Sequence, residues 1–330
     1  WSELDDMIPR GPIRTSNSDD LERLHDALFP DALWDRIAAA DEVIIVPDGA
    51  LNRLPFEALV VSQDSGSPRY WLDEGPPVRY AASATALYNV ERRTSELGQG
   101  VLSVSDPIFE LDPFLLEEIS RTSLTRSGFE RAGGTLERLP YTAEETVAIQ
   151  RAFEDVTVLQ QLNATEVNLR EAVEGDHRYL HLATHGTIDE RRGSMYASLA
   201  LAPVSESDPE PDNDGFLQLR EVYGLDLSSV ALAVLSACET NVGEDYVGEG
   251  VFSLSRGFLA AGAQRVIATQ WQVDDRATSI LIGAMFEEIA QAGEDVDYAE
   301  ALRTAQLEVR NNPEYADPYF WAAFTLTGMH

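Results

Sequence analysis

From Gly100 onward, short apolar runs alternate with stretches of helical length, and this alternation does most to narrow the folds open to the chain. Val101 to Ser105, Val156 to Leu159, Tyr179 to Thr184, Ser198 to Ala202, Ala231 to Ser236, Arg265 to Gln270 and Phe320 to Thr327 are each of strand length. Strands separated by helices build a mainly parallel sheet covered on both faces, because a parallel crossover needs about a dozen residues or more. The class expected is α/β. The intervening helices carry start signals. Thr142-Ala-Glu-Glu145 and Asp297-Tyr-Ala-Glu300 have the form of capping boxes, and Asp274 or Asp275 precedes the apolar helix Ile280 to Ile289.

Ahead of Gly100 the chain reads as a smaller α/β lobe. Residues 1–19 are polar and patternless, like a linker. Leu21 to Phe29 and Ala32 to Ala40 are helical patterns punctuated by Pro30, with Asp31 as an N-cap. Glu42 to Val46 reads as a buried strand closed by the turn Pro47-Asp48-Gly49, and Tyr70 to Tyr80 as extended chain. The organisation expected is therefore a linker or upstream end at 1–19, an N-terminal lobe at 20–98 and a main lobe at 99–330. No internal repeat is visible. Because the chain begins at Trp1, a fragment or processed form is expected, preceded by repeats or a sensor region.

Two of the apolar runs end in chemistry. Ala231 to Ala237 leads into Cys238, the single cysteine, and 53 residues upstream Tyr179 to Thr184 leads into His185-Gly186. A thiol is a good nucleophile only as thiolate, and an imidazole within reach supplies the base and the later acid. Carboxyl ends of parallel strands are where open α/β sheets place their ligands, so two strand ends can bring such a pair together. Cys238 taken alone reads more often as a small core residue than as a nucleophile. Gly186 lets backbone and substrate approach closely. His177, His181 and His185 recur every fourth residue, but on a strand such positions stand about 13 Å apart, too far to share a metal ion. No metal site is expected, and His181 reads as a core histidine with its ring satisfied.

The flanks of these runs carry a resemblance. Ile44-Ile-Val-Pro-Asp-Gly-Ala-Leu-Asn-Arg-Leu-Pro-Phe-Glu-Ala-Leu59, Leu180-His-Leu-Ala-Thr-His-Gly186, Val234-Leu-Ser-Ala-Cys-Glu-Thr240, Phe258 to Asp275 and Pro318 to Gly328 resemble a CHAT domain over residues 20 to 328. CHAT domains belong to the caspase-like clan of cysteine peptidases, with separase, gingipains and legumain. The resemblance implies a caspase-like sheet and an acyl-enzyme mechanism. Cys238 would be the nucleophile and His185 the base and acid, with backbone N–H groups of Gly186 and Cys238 holding the oxyanion. It also implies a protein substrate, such as a bacterial gasdermin or another effector in a prokaryotic defence system, and no cofactor. Glu239 touches substrate or an activating partner, or is a solvated loop carboxylate. Asp274 and Asp275 fall where this clan shapes the pocket for the residue before the cut, favouring a basic side chain; helix capping by one of them is the alternative.

About ten residues, Glu239 to Gly248, separate Cys238 from the next helix, which leaves no room for the cleavable linker of caspases. Phe109 to Arg138 and Ser205 to Asp214 are the candidate regulatory loops, the first expected to be mobile or sensitive to proteases. The rival reading is a catalytically silent, caspase-like scaffold that binds peptides. A flavodoxin-like nucleotide binder lacks its phosphate loop: Gly248-Glu-Gly250 stands alone, without GxGxxG or GxxxxGK[ST].

Charge bears on surroundings and partners. The chain carries 57 acidic against 24 basic residues, a formal charge of −33, and every basic residue is arginine. A carboxylate sheath without lysine suits high salt, where screening removes the cost of self-repulsion. A salt-adapted prokaryotic source is expected, an acidic proteome from a GC-rich genome being the alternative. Neither nucleic acid nor an anionic membrane is a fitting partner for such a surface. One cysteine makes no internal disulfide, and neither an 18-residue apolar run nor a signal peptide is present. A reduced cytoplasm is the location expected.

Overall fold

The computed structural model describes residues 6–64, 67–93, 95–109, 136–187, 197–203, 214–237 and 249–329. Cys238, Glu239, the interior of the Phe109 to Arg138 loop and 204–213 lie outside these residues. The architecture is α/β, a large, mainly parallel sheet flanked by helices. The strands are β1 Val43–Ile45, β2 Val60–Asp64, β3 Ser67–Tyr70, β4 Val78–Tyr80, β5 Gly100–Pro107, β6 Val156–Gln161, β7 His177–Thr184, β8 Gly186–Thr187, β9 Ser198–Ala200, β10 Phe216–Gln218, β11 Leu232–Ala237, β12 Arg265–Thr269 and β13 Phe324–Gly328. The helices are α1 Ser18–Leu28, α2 Asp31–Ile37, α3 Trp71–Glu74, α4 Ala84–Glu91, α5 Tyr141–Ala152, α6 Glu166–Val173, α7 Leu219–Val222, α8 Glu249–Ala261, α9 Asp275–Ala292, α10 Tyr298–Asn311 and α11 Pro318–Trp321.

The chain divides into two compact units, residues 1–93 with 267–330, and residues 94–266. This division differs from the lobes drawn on the sequence, since 267–330 group with the first 93 residues. In the first unit the strand order is β1-β4-β13-β12, with β1 parallel to β4 and β4 parallel to β13. Glu42 to Val46 does form a strand, but not a buried one: β1 is the edge, and Ile44 is 40% exposed. Tyr70 to Tyr80 is not one extended stretch. The Tyr70 N–H donates to the Asp73 carboxylate at 2.8 Å, which starts the short helix α3, and only Val78–Tyr80 is strand. Trp71 anchors that turn, fully buried, with its indole N–H on the Pro76 carbonyl at 2.9 Å.

Residues 6–19 are not a bare linker either. Ile8 and Ile13 are buried, and Thr15 donates through its N–H and hydroxyl to Asp317, each at 3.1 Å. Phe320 to Thr327 begins in the helix α11, which Asp317 caps, and is strand only from Phe324. Asp31 is the first helical residue of α2, and Pro30 occupies the cap position.

In the second unit the order is β11-β7-β5-β6, every pair parallel. Strands covered on both faces must be apolar on both. Val101, Leu102, Val104, Leu180, Leu182, Leu232 and Val234 are each at most 1% exposed, and burial of such a side chain contributes about 1.5–3 kcal/mol. Ser198 to Ala202 does not join this sheet. Its strand, β9, pairs antiparallel with β8 and β10 in a small sheet of three. The capping box expected at Thr142 and Glu145 is absent, because both side chains turn into the core. Thr142 Oγ1 accepts the Asp106 N–H at 2.9 Å and donates to the Leu139 carbonyl at 2.7 Å, while Glu145 is fully buried.

Candidate active site

His185 stands where the chain leaves one sheet for another: β7 ends at Thr184 and β8 begins at Gly186. Gly186 is paired antiparallel with Leu199, and the Ala200 N–H donates to the His185 carbonyl at 2.8 Å. The Thr184 hydroxyl donates to the Ala200 carbonyl. These bonds fix the backbone on both sides of the imidazole. The ring is 3% exposed and packs against Phe109, with centroids 5.4 Å apart. Phe109, Leu136 and Ala200 form a buried apolar cluster joined by Phe216.

Nε2 of His185 lies 2.6 Å from the Glu137 carbonyl. A carbonyl only accepts, so the shared proton belongs to Nε2 and the neutral ring leaves its lone pair on Nδ1. Nδ1 is buried and has no hydrogen-bond partner among the described residues. A buried acceptor without a donor is costly, and this one is a nitrogen base ready for a proton. The strand beside it is β11, and its final residue, Ala237, is in register with Thr184. Cys238 and Glu239 follow Ala237 in the chain and lie outside the described residues.

Beneath these strand ends a polar network crosses β5, β7 and β11. His181, wholly buried, has Nδ1 2.9 Å from Ser103 Oγ and Nε2 2.8 Å from Glu145 Oε2. Ser103 Oγ contacts Thr146 Oγ1 at 2.8 Å, which contacts Ser105 Oγ at 2.6 Å, and Ser105 accepts from Gln160 Nε2 at 2.9 Å. Ser236 donates to Glu145 Oε1 at 3.3 Å. One proton arrangement satisfies every member: Gln160 to Ser105 to Thr146 to Ser103 to His181 Nδ1, with His181 Nε2 donating to Glu145. Burial raises the Glu145 pKa, and the bonds from His181 and Ser236 work against that rise. His181 is thus a core histidine with both nitrogens engaged.

Of the residues singled out from sequence, His185 and Gly186 stand together at the end of β7. Asp274 is the N-cap of α9, its Oδ1 accepting the Ala277 N–H at 2.9 Å, and Asp275 is that helix's first residue. The sequence reading passed over Phe109 and Glu137, one an aromatic neighbour of the ring and the other acting through its main chain. A backbone carbonyl has no signature in a sequence. Glu145 reads in sequence as a helix cap, and the mid-strand His181, with Ser236 two residues before Cys238, is the available hint of a buried polar partner.

A family model described as "CHAT domain" matches residues 18–329. Tetratricopeptide repeat protein 28 of Mus musculus is 32% identical over 124 residues, 38% of this chain and 5% of that protein. The chain therefore spans about a twentieth of the length of that curated relative. Among solved structures, the Arg specific cysteine proteinase gingipain R is similar with a TM-score of 0.52 at 11% identity, over 99% of this chain and 73% of that one. The complex of RgpB pro- and mature domains from Porphyromonas gingivalis gives a TM-score of 0.52 at 10% identity, over 94% of this chain and 68% of that one. At these identities the likeness is one of fold, shared with cysteine proteinases.

Proposed function

Since the chain belongs to the CHAT-domain family, we propose that it is a cysteine endopeptidase in which Cys238 and His185 form the catalytic dyad. The observation that carries this reading is the His185 imidazole, buried at a strand end with Nε2 engaged by a carbonyl and Nδ1 left to act as base. The register supports it. Ala237, which precedes Cys238 in the chain, is paired with Thr184, which precedes His185.

The chemistry follows in two steps. His185 Nδ1 takes the Cys238 thiol proton, and the thiolate attacks the scissile carbonyl carbon. The C–N bond breaks as the imidazolium returns that proton to the departing amine, leaving a thioester. Water then gives a proton to Nδ1, its oxygen attacks the thioester, and the thiol leaves with the proton restored. Backbone N–H groups of Gly186 and Cys238 serve as oxyanion donors, each worth roughly 3 kcal/mol in hydrolases of this kind. Glu239 sits next to the nucleophile in sequence and is assigned to substrate or partner contact. The substrate is a protein, with a gasdermin or another effector of a prokaryotic defence system as the family context offers, and the setting proposed is the cytoplasm of a salt-adapted cell.

The test is a peptidyl electrophile together with a proteome-derived peptide library, applied in low and molar salt to wild type, Cys238→Ala and His185→Ala. Labelling at Cys238 and cleavage that both variants abolish are expected. A wild type that neither labels nor cleaves, while still binding peptides, would establish the silent scaffold instead.

A further inference from the structure

The side chains that hold the Glu137 carbonyl in place are not those of the dyad, and their geometry assigns them a role. Glu137 lies in a short segment, Leu136 to Pro140, between β5 and α5, and three contacts pin it. Arg138 meets Asp106 in a two-pronged ion pair, Nε to Oδ1 at 2.7 Å and one terminal nitrogen to Oδ2 at 2.5 Å. The Leu139 carbonyl accepts the Thr142 hydroxyl at 2.7 Å. Leu136 is buried against Phe109 and Ala200. Asp106 is itself tightly set. It is 2% exposed, its backbone is left-handed with φ 48°, and its N–H donates to Thr142 Oγ1 at 2.9 Å. Left-handed backbone is uncommon outside glycine, with Asp and Asn tolerating it best, so the turn that aims this carboxylate is a specified one.

We propose that Asp106 and Arg138 are positioning residues: their ion pair holds the Glu137 carbonyl against His185 Nε2 and thereby keeps the imidazole in the tautomer whose Nδ1 is the base. The logic is geometric. The carbonyl is adjacent in sequence to the arginine, so the carboxylate that fixes the guanidinium also fixes the peptide unit on its N-terminal side. A two-pronged pair constrains both distance and plane, which a single ammonium contact does not. Without it, Leu136 and the Thr142 hydroxyl still hold the segment's ends, but the carbonyl between them is free to rotate away. The ring then populates the other tautomer, with its proton on Nδ1 and no lone pair left there to act as base. Arg138 is 56% exposed at the side chain and Asp106 is 3% exposed, so the arginine can be changed without opening the core.

The proposal rests on His185 as the base, and its test separates the two. Protein with 15N-labelled histidine is compared as wild type, Asp106→Asn and Arg138→Gln, at mildly alkaline pH. Long-range proton–nitrogen spectra, assigned with His185→Gln, report which ring nitrogen carries hydrogen. In wild type the His185 proton is expected on Nε2 alone. In both variants a second tautomer is expected, with faster exchange of the Nε2 proton. Asparagine retains the left-handed turn, and Arg138→Gln alters a half-exposed side chain, so folding is not at stake in the second variant. On a cleaved peptide, kcat is expected to fall by between about tenfold and a hundredfold with KM unchanged, since a misplacement of about 1 Å costs roughly a hundredfold. Arg138→Lys, retaining charge but not the two-pronged geometry, is expected to lie between. A wild-type proton on Nδ1 overturns the proposal, as do variants with an unchanged tautomer, whether or not their rates fall. If no peptide is cleaved by wild type, the endopeptidase reading fails while the tautomer measurement still decides this one.

Discussion

At the scale of single residues, the chain buries carboxylates where water would have left them charged. Glu57 is 4% exposed and accepts the Tyr80 hydroxyl at 2.6 Å, while that oxygen accepts the Phe56 N–H at 2.7 Å. Burial, only partly offset by the Tyr80 bond, lifts the Glu57 pKa from 4.5 to about 7. An acid whose pKa rises on folding binds its proton more tightly when folded. Its contribution to stability is therefore full below pH 4.5 and is lost as pH rises through about 7. Glu57→Gln keeps an oxygen for Tyr80 and cannot ionise, so it is expected to stabilise the protein at alkaline pH by up to about 3 kcal/mol, at 1.36 kcal/mol per pKa unit. Urea denaturation of both forms on either side of neutrality measures this. A difference that does not grow with pH would show that Glu57 is not titrating there. Glu145 answers a different question. Its removal leaves His181 and Ser236 without their buried partner, and Glu145→Ala is expected to cost about 3–5 kcal/mol, as breaking a buried pair does. A loss below about 1 kcal/mol in the same denaturation assay, a surface pair's worth, would mean the network contributes little.

At the scale of elements, what was legible in the sequence was what local chemistry controls. The strands ending at Thr184 and Ala237 and the helix beginning at Glu249 fall where the apolar runs and glycines placed them. Asp297 accepts the N–H groups of Ala299 and Glu300, each at 3.0 Å, as its capping pattern announced. Thr142-Ala-Glu-Glu145 has the same form and no such bonds, because α5 faces the sheet with the side chains that would have capped it. Local pattern loses to packing there. Asp274 returns the opposite outcome, a cap where a pocket was also open. Asparagine caps as well as aspartate, and alanine does not. Asp274→Asn is expected to leave the thermal midpoint nearly unchanged, whereas Asp274→Ala loses about 1 kcal/mol. Equal losses in the two would point to the charge rather than the cap.

At the scale of the whole molecule, a formal charge of −33 on 330 residues makes self-repulsion a term that solvent can tune. Raising salt from about 0.1 M to 1 M shortens the Debye length from about 10 Å to 3 Å. The thermal midpoint is expected to climb steadily over that range in potassium chloride, and a midpoint that is flat or falls would remove the salt-adapted reading. The sequence by itself determined the α/β class, the strands that run up to His185 and Cys238, the Asp297 cap and the strong negative charge, since each depends on residue type and on spacing along a few turns or strand repeats. Only the tertiary structure decided that the Glu137 carbonyl accepts the hydrogen bond of His185 Nε2 across 48 residues, that Glu145 meets His181 across 36, and that Asp106 clasps Arg138 across 32. The physical reason is that these contacts join groups made neighbours by strand order. A backbone carbonyl is chemically the same in every residue, and a buried carboxylate reads in sequence like a solvated one until the partner that neutralises it has been brought alongside.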